Sequence, residues 1–186
     1  MSQGYAYTLN MWPSILTASL LTLLGAYSLR RRRVPGALPF AVGCLFAGLW
    51  ALGSAPELAA VDPATKAFWV KFQAVWQLPA TTAVTCFVLD YTRPGRWLTR
   101  RNVALLAIPS LLILLSVVTD DLHHLFWRGF RFDGVVIPVR GPVNWIGVAL
   151  GYGLGLLNLI VLGWVFARSP QYRWPVVIIL SGQIGA

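Results

Sequence analysis

The chain has 186 residues, 57% of them hydrophobic and 11% charged, with a mean hydropathy of +0.66. A soluble domain carries roughly 25% charged and about 45–50% apolar residues, so an ordinary soluble enzyme is excluded, as is disorder, which needs low hydrophobicity and high charge. The composition is that of an integral membrane protein, and the formal net charge of +9 has to be judged by where the 15 Lys and Arg and the 6 Asp and Glu fall.

A helix crosses a bilayer with about 20 apolar residues. The first such run covers 11–29 and is stopped by Arg30, Arg31, Arg32 and Arg33. The second, 38–58, is entered through Val34-Pro35-Gly36. The third, 67–91, carries Lys71, Gln73 and Gln77 in its first half and Pro79 near its middle, where proline removes a backbone hydrogen bond. The fourth is 103–118, followed by one sizeable loop at 119–142. The fifth is 143–167. A sixth starts at Trp174 and is still apolar at Ala186, too short to cross, so it reads as cut short and the chain as part of a longer protein. The predicted fold is all-α: a polytopic transmembrane helix bundle of five full spans and a truncated sixth. Cys44 and Cys86 lie inside apolar runs, where a thiol acts as a small hydrophobe.

Lys and Arg in short loops are retained on the cytoplasmic side. One set of alternate turns holds Arg30 to Arg33, Arg93, Arg96, Arg100, Arg101, Arg168 and Arg173. The other holds Lys66, Lys71, Arg128, Arg131 and Arg140, matched by Glu57, Asp62, Asp120, Asp121 and Asp133. The N-terminus is therefore predicted outside and the Arg-rich turns in the cytoplasm, in a multi-pass protein of the cell (inner) membrane. Topology accounts for the basic face, lipid headgroups suffice as its partners, and no nucleic acid is expected. No positive region precedes the first run, which reads as a retained helix and not a cleaved signal.

The outer loop places Asp120, Asp121, His123 and His124 within five residues. These are metal-ligand types, but adjacent histidines point apart and no H-x3-H spacing is present, so no metal and no cofactor are expected. The segment reads as a polar helix end, with Phe126 and Trp127 as interfacial anchors. Glu57 and Lys71 sit below the outer surface on consecutive helices and can pair. They can equally floor a pocket with Gln73, Trp76 and Gln77, or Lys71 can snorkel upward. Asp90 and Arg93 are spaced for a local helix pair. Gly147, Gly151 and Gly155 form a stripe that lets another helix approach closely, with a weaker one at Ala47, Ala51 and Ala55. Asn158, below the glycines, is expected to hydrogen-bond a neighbour. No P-loop, H-E-x-x-H or G-x-S-x-G is present, so no catalytic residue is assigned.

Short motifs recur along nearly the whole chain: Trp50-Ala51-Leu52-Gly53 with Glu57-Leu58, Phe68-Trp69-Val70-Lys71-Phe72-Gln73, Asp90-Tyr91-Thr92 and Trp97-Leu98. Ile108-Pro109, His123-His124-Leu125-Phe126-Trp127, Gly141-Pro142 with Trp145, and Arg168-Ser169-Pro170 with Tyr172-Arg173 follow. In order and spacing they resemble the N-terminal seven-transmembrane sensor region of bacterial histidine kinases and some other signalling proteins. The resemblance implies seven helices, an outside N-terminus, cytoplasmic PAS, kinase or cyclase domains beyond, and a homodimer. This sequence departs from it by stopping within the sixth helix.

The expectation is a sensory input module for an extracytoplasmic or membrane-borne stimulus in a two-component system. Its sensing surface is drawn from Glu57, Lys71, Gln73, Gln77, Asp121, His123 and His124 with Trp50, Trp76 and Trp127. An accessory subunit of a larger membrane complex is the alternative, suited by packing stripes without an active site. A transporter is disfavoured because the first three spans do not repeat in the next three.

Overall fold

The computed structural model describes residues 4–93, 95–133, 135–168, 174 and 177. Five long helices carry the fold: α1 (Met11–Arg30), α2 (Ala37–Ala59), α3 (Pro63–Thr92), α4 (Arg100–Val118) and α6 (Pro142–Arg168). All five are long and apolar enough to cross a membrane. Between α4 and α6 lie a single helical turn, α5 (Asp120–His123), and a hairpin of β1 (Trp127–Asp133) and β2 (Val135–Arg140). The sixth predicted span, 174–186, falls outside the described residues except for Trp174 and Val177.

Helix ends follow local chemistry. α3 starts ahead of its apolar run because the Asp62 carboxylate accepts the Thr65 N–H at 2.9 Å and Pro63 stands in the first turn, where its missing N–H costs nothing. Thr99 caps α4 in the same way. The α1–α2 turn ends at Gly36, whose φ of +80° suits a residue without Cβ. Its N–H donates to Asp90 Oδ2 at 2.7 Å, and Asp90 Oδ1 accepts the Gly95 N–H at 3.4 Å. Asp90 therefore serves backbone donors of two turns and is not the helix partner of Arg93. The Arg93 guanidinium instead lies over the rings of Trp97 (5.3 Å) and Trp164 (4.5 Å), and Arg168 stands 5.3 Å from the same Trp164 ring.

α3 packs against α2, α4 and α6, and α1 packs against α2. The α1–α2 and α2–α3 seams are closed by small residues. A Cβ on Gly25 would meet Cys44 at 3.3 Å, and one on Gly53 would meet Phe72 and Gln73 at 2.8 Å. The stripe on α6 is used only at its top. Gly147 faces Ile113, whereas a Cβ on Gly155 would meet nothing within 4 Å.

Two apolar clusters fill the bundle. The outer one joins Ile113 and Val117 of α4 to Phe126 and Trp127 of the hairpin, and the inner one joins Val88 of α3 to Val161, Leu162 and Val165 of α6. Between them the Thr82 and Ser110 hydroxyls pair at 2.5 Å and tie α3 to α4. Asn158, 1% exposed, corrects its expectation: neither amide atom has a partner among the described residues. Thr85, equally buried, uses its hydroxyl on the Thr81 carbonyl of its own helix.

Gly141 is the tightest point of the chain. Its N–H donates to the Phe126 carbonyl at 2.8 Å, and an added Cβ would lie 2.1 Å from the Leu125 carbonyl oxygen, a backbone atom with no rotamer to yield. Gly141→Ala is expected to cost about 3 kcal/mol, the upper end of ordinary overpacking, and to lower the thermal unfolding midpoint in detergent. Gly155→Ala, into open space, should leave that midpoint unchanged.

Candidate functional site

The polar groups at the loop end of the bundle are organised by one buried carboxylate. α4 ends at Thr119, and the turn Asp120–His123 is closed by His124 in the left-handed region (φ 52°), whose N–H bonds the Asp120 carbonyl at 2.7 Å. Asp120 is 2% exposed, and its Oδ1 accepts the N–H groups of Phe126 (2.7 Å) and Trp127 (3.2 Å). Hydrogen bonds to an ionised acceptor are the strong ones, and these two fold the chain back so that the hairpin starts against α4. Phe126 and Trp127 are consequently buried at 8% and 3% exposure. They are core residues of the outer cluster, which corrects their reading as interfacial anchors.

His123 is held within the same turn. Its Nδ1 accepts the Leu125 N–H at 3.1 Å, so the ring proton is on Nε2, which donates to Thr119 Oγ1 at 3.1 Å. That hydroxyl passes its own proton to the Leu115 carbonyl at 2.7 Å. His124 points away and is exposed. Among the described residues no group of three or more His, Cys, Asp or Glu side chains gathers as a metal site.

Lys71 is ion-paired with Asp121 and not with Glu57. The reason is helical phase. Lys71 and Gln73 are two residues apart on α3, roughly 200° around the axis, so one faces the loop and the other faces α2. Glu57 on α2 accepts from Gln73 Nε2 at 2.5 Å, and Gln73 Oε1 accepts from the Ser54 hydroxyl at 3.0 Å. The Asp121 side chain is 76% exposed, and the hydrogen bond and charge of Lys71, with a smaller contribution from His124, hold its carboxyl below the usual carboxylate range.

The sequence-derived candidates thus fall into separate places. Lys71 and Asp121 join the loop to α3, while His123 stays within the turn after α4. Glu57 and Gln73 close the α2–α3 seam beside Trp76, which stacks on Phe46 at 5.8 Å with its indole N–H buried and unpartnered among the described residues. Gln77 lines a cavity of about 590 Å³ between α3, α4 and α6, with Thr81, Asn144, Gly147 and Gly151. Trp50 is 39% exposed on α2, and its carbonyl accepts from the Ser54 hydroxyl at 3.4 Å. Asp120, Arg140 and Asn144 were not among the candidates. Carboxylates directly after the end of an apolar run are the signal that marks Asp120 and Asp121 together.

Asp120→Ala leaves two buried N–H groups without an acceptor and is expected to cost about 2–4 kcal/mol, read as a lower unfolding midpoint and a red shift of tryptophan emission as Trp127 becomes wet. Lys71→Gln should cost less than about 1 kcal/mol, because the pair is exposed. A carboxyl held low in the folded state stabilises above its unfolded value near 3.9 and loses that contribution as pH falls through the lower folded one. The stability difference between the native protein and Lys71→Gln should therefore be constant at neutral pH and vanish in acid.

The family model for the N-terminal 7TM region of histidine kinase matches residues 13–184. No curated protein and no solved structure matches the chain. With nearly its whole length matched and five helices long and apolar enough to cross a membrane, the chain belongs to the family of N-terminal 7TM regions of histidine kinases.

Proposed function

We propose that the chain is the sensory input module of a histidine kinase, detecting an extracytoplasmic or membrane-borne stimulus at its loop-bearing end. The carrying observation is that one helix holds both ends of the bundle. At one end α3 binds the loop through Lys71 and Asp121. At the other, Asp90 fixes the α1–α2 turn and Arg93 packs on Trp97 and on Trp164 of α6. A stimulus that moves the loop relative to α3 therefore displaces the end from which the Arg-rich turns project.

The distribution of basic residues supports an outside N-terminus and loop in the cell membrane, with the arginine-rich turns facing the cytoplasm. A stimulus acts in such a device only by binding two helix arrangements with different affinity. The polar contacts at the loop end are the ones that an aqueous or headgroup-level stimulus can reach.

The natural protein, purified from its own membrane, should show an intact mass well above 20.5 kDa with peptides from a cytoplasmic kinase region. Lys71→Gln should then change its autophosphorylation while leaving the amount in the membrane unaltered. A mass of 20.5 kDa without such peptides would overturn the sensor reading in favour of an accessory subunit of a larger complex.

A further inference from the structure

The cavity between α3, α4 and α6 has the attributes of a ligand site. Its volume of about 590 Å³ lies within the range of small-molecule pockets, roughly 300–1,000 Å³. Its lining is largely apolar, with Leu78, Ile113, Gly147 and Gly151, and Gln77 and Thr81 add polar groups from α3. From Asn144 to Gly151 it follows α6 for about 10 Å at 1.5 Å per residue. Trp145 and Tyr152, exposed at 58% and 79%, flank it.

The upper end is polar, and two of its groups lack partners. Arg140, the last residue of β2, pairs with no carboxylate among the described residues, and its guanidinium lies 5.3 Å from the Trp145 ring centroid. Asn144 Oδ1 is buried without a hydrogen-bond donor. An unpaired guanidinium calls for an anion, and a buried carbonyl oxygen calls for an O–H or N–H. Both line the cavity, Arg140 exposed at the end of β2 and Asn144 near the start of α6.

We propose that this cavity binds an amphiphile whose headgroup carries both an anionic group and a hydrogen-bond donor. The anion sits at Arg140, the donor at Asn144 Oδ1, and the acyl chain lies along Gly147, Gly151 and Leu78. Gly151 then has a use: its absent side chain makes room for the chain of the ligand. The proposal deepens the sensor reading, on which it rests for its signalling role but not for binding.

The test uses the full chain in nanodiscs of zwitterionic phosphatidylcholine, titrated with β-hydroxydodecanoate and followed by tryptophan fluorescence, with Trp145→Phe identifying the reporter. Saturable binding is expected, about tenfold weaker for dodecanol, which lacks the charge, and for Arg140→Gln, about the effect of one charge-assisted hydrogen bond. Dodecanoate, lacking the hydroxyl, should bind more weakly than the hydroxy acid to the native chain and equally to Asn144→Leu. Gly151→Leu, whose Cβ would meet only Leu78 at 4.0 Å among the described residues, should abolish binding without lowering the unfolding midpoint. Phosphatidylglycerol in the nanodisc supplies the same headgroup chemistry from the bilayer. If it blocks the titration in the native chain but not in Arg140→Gln, the resident lipid is the occupant. A signal linear in concentration and indifferent to Arg140→Gln and Gly151→Leu overturns the proposal. Binding as expected, with unchanged autophosphorylation of the full-length protein, would leave the site standing and remove the sensor reading.

Discussion

Inside a bilayer there is no water to satisfy a backbone N–H or C=O, and this constraint arranges everything else in the molecule. Backbone bonding is regular through the five long helices and becomes irregular only at their ends. The prolines inside helices, Pro56, Pro79 and Pro109, each withdraw one backbone donor. Where the chain must turn near the core, a charged acceptor appears. Asp120 gathers two N–H groups at the loop end, and Asp90 gathers those of Gly36 and Gly95 at the other. The two carboxylates do the same job on opposite faces of the bundle.

The five helices were legible because a run of about 20 apolar residues has one stable conformation in lipid. Their partners were less so. The stripe of Gly147, Gly151 and Gly155 reads from the sequence as a packing seam within the bundle or between protomers, while among the described residues Gly25 and Gly53 on other helices make tight contacts. Spacing marks where a backbone can approach, while the side chains opposite decide whether it does. The hairpin was hidden by its position. Phe130-Arg131-Phe132 and Val135-Val136-Ile137 alternate or branch as strands do, around Asp133-Gly134, but between two spans the segment reads as loop.

The candidate residues were found by chemistry and missorted by geometry. Glu57 and Lys71 are close in sequence and opposite in charge, but α3 turns them to different sides, and Gln73 takes the place that the ion pair was expected to fill. Asp120 and Asp121 are neighbours with opposite fates: one is sealed in the fold at 2% exposure, and the other is exposed in an ion pair. No composition or spacing rule separates them. Only the fold-back of Phe126 and Trp127 does, and that depends on contacts with α4.

The lengths of α3 and α4 have a mechanical consequence. At 1.5 Å per residue, the 30 residues of α3 extend about 45 Å and the 19 of α4 about 28 Å, against a hydrocarbon layer of about 30 Å. The shorter helix matches the membrane, so the longer one must protrude or tilt. Thinning of the bilayer exposes apolar surface at the ends of α4 but is absorbed by tilt in α3. The hydroxyl pair Thr82–Ser110 pins the two together near their middles, so a change in thickness acts on them as a torque about that point.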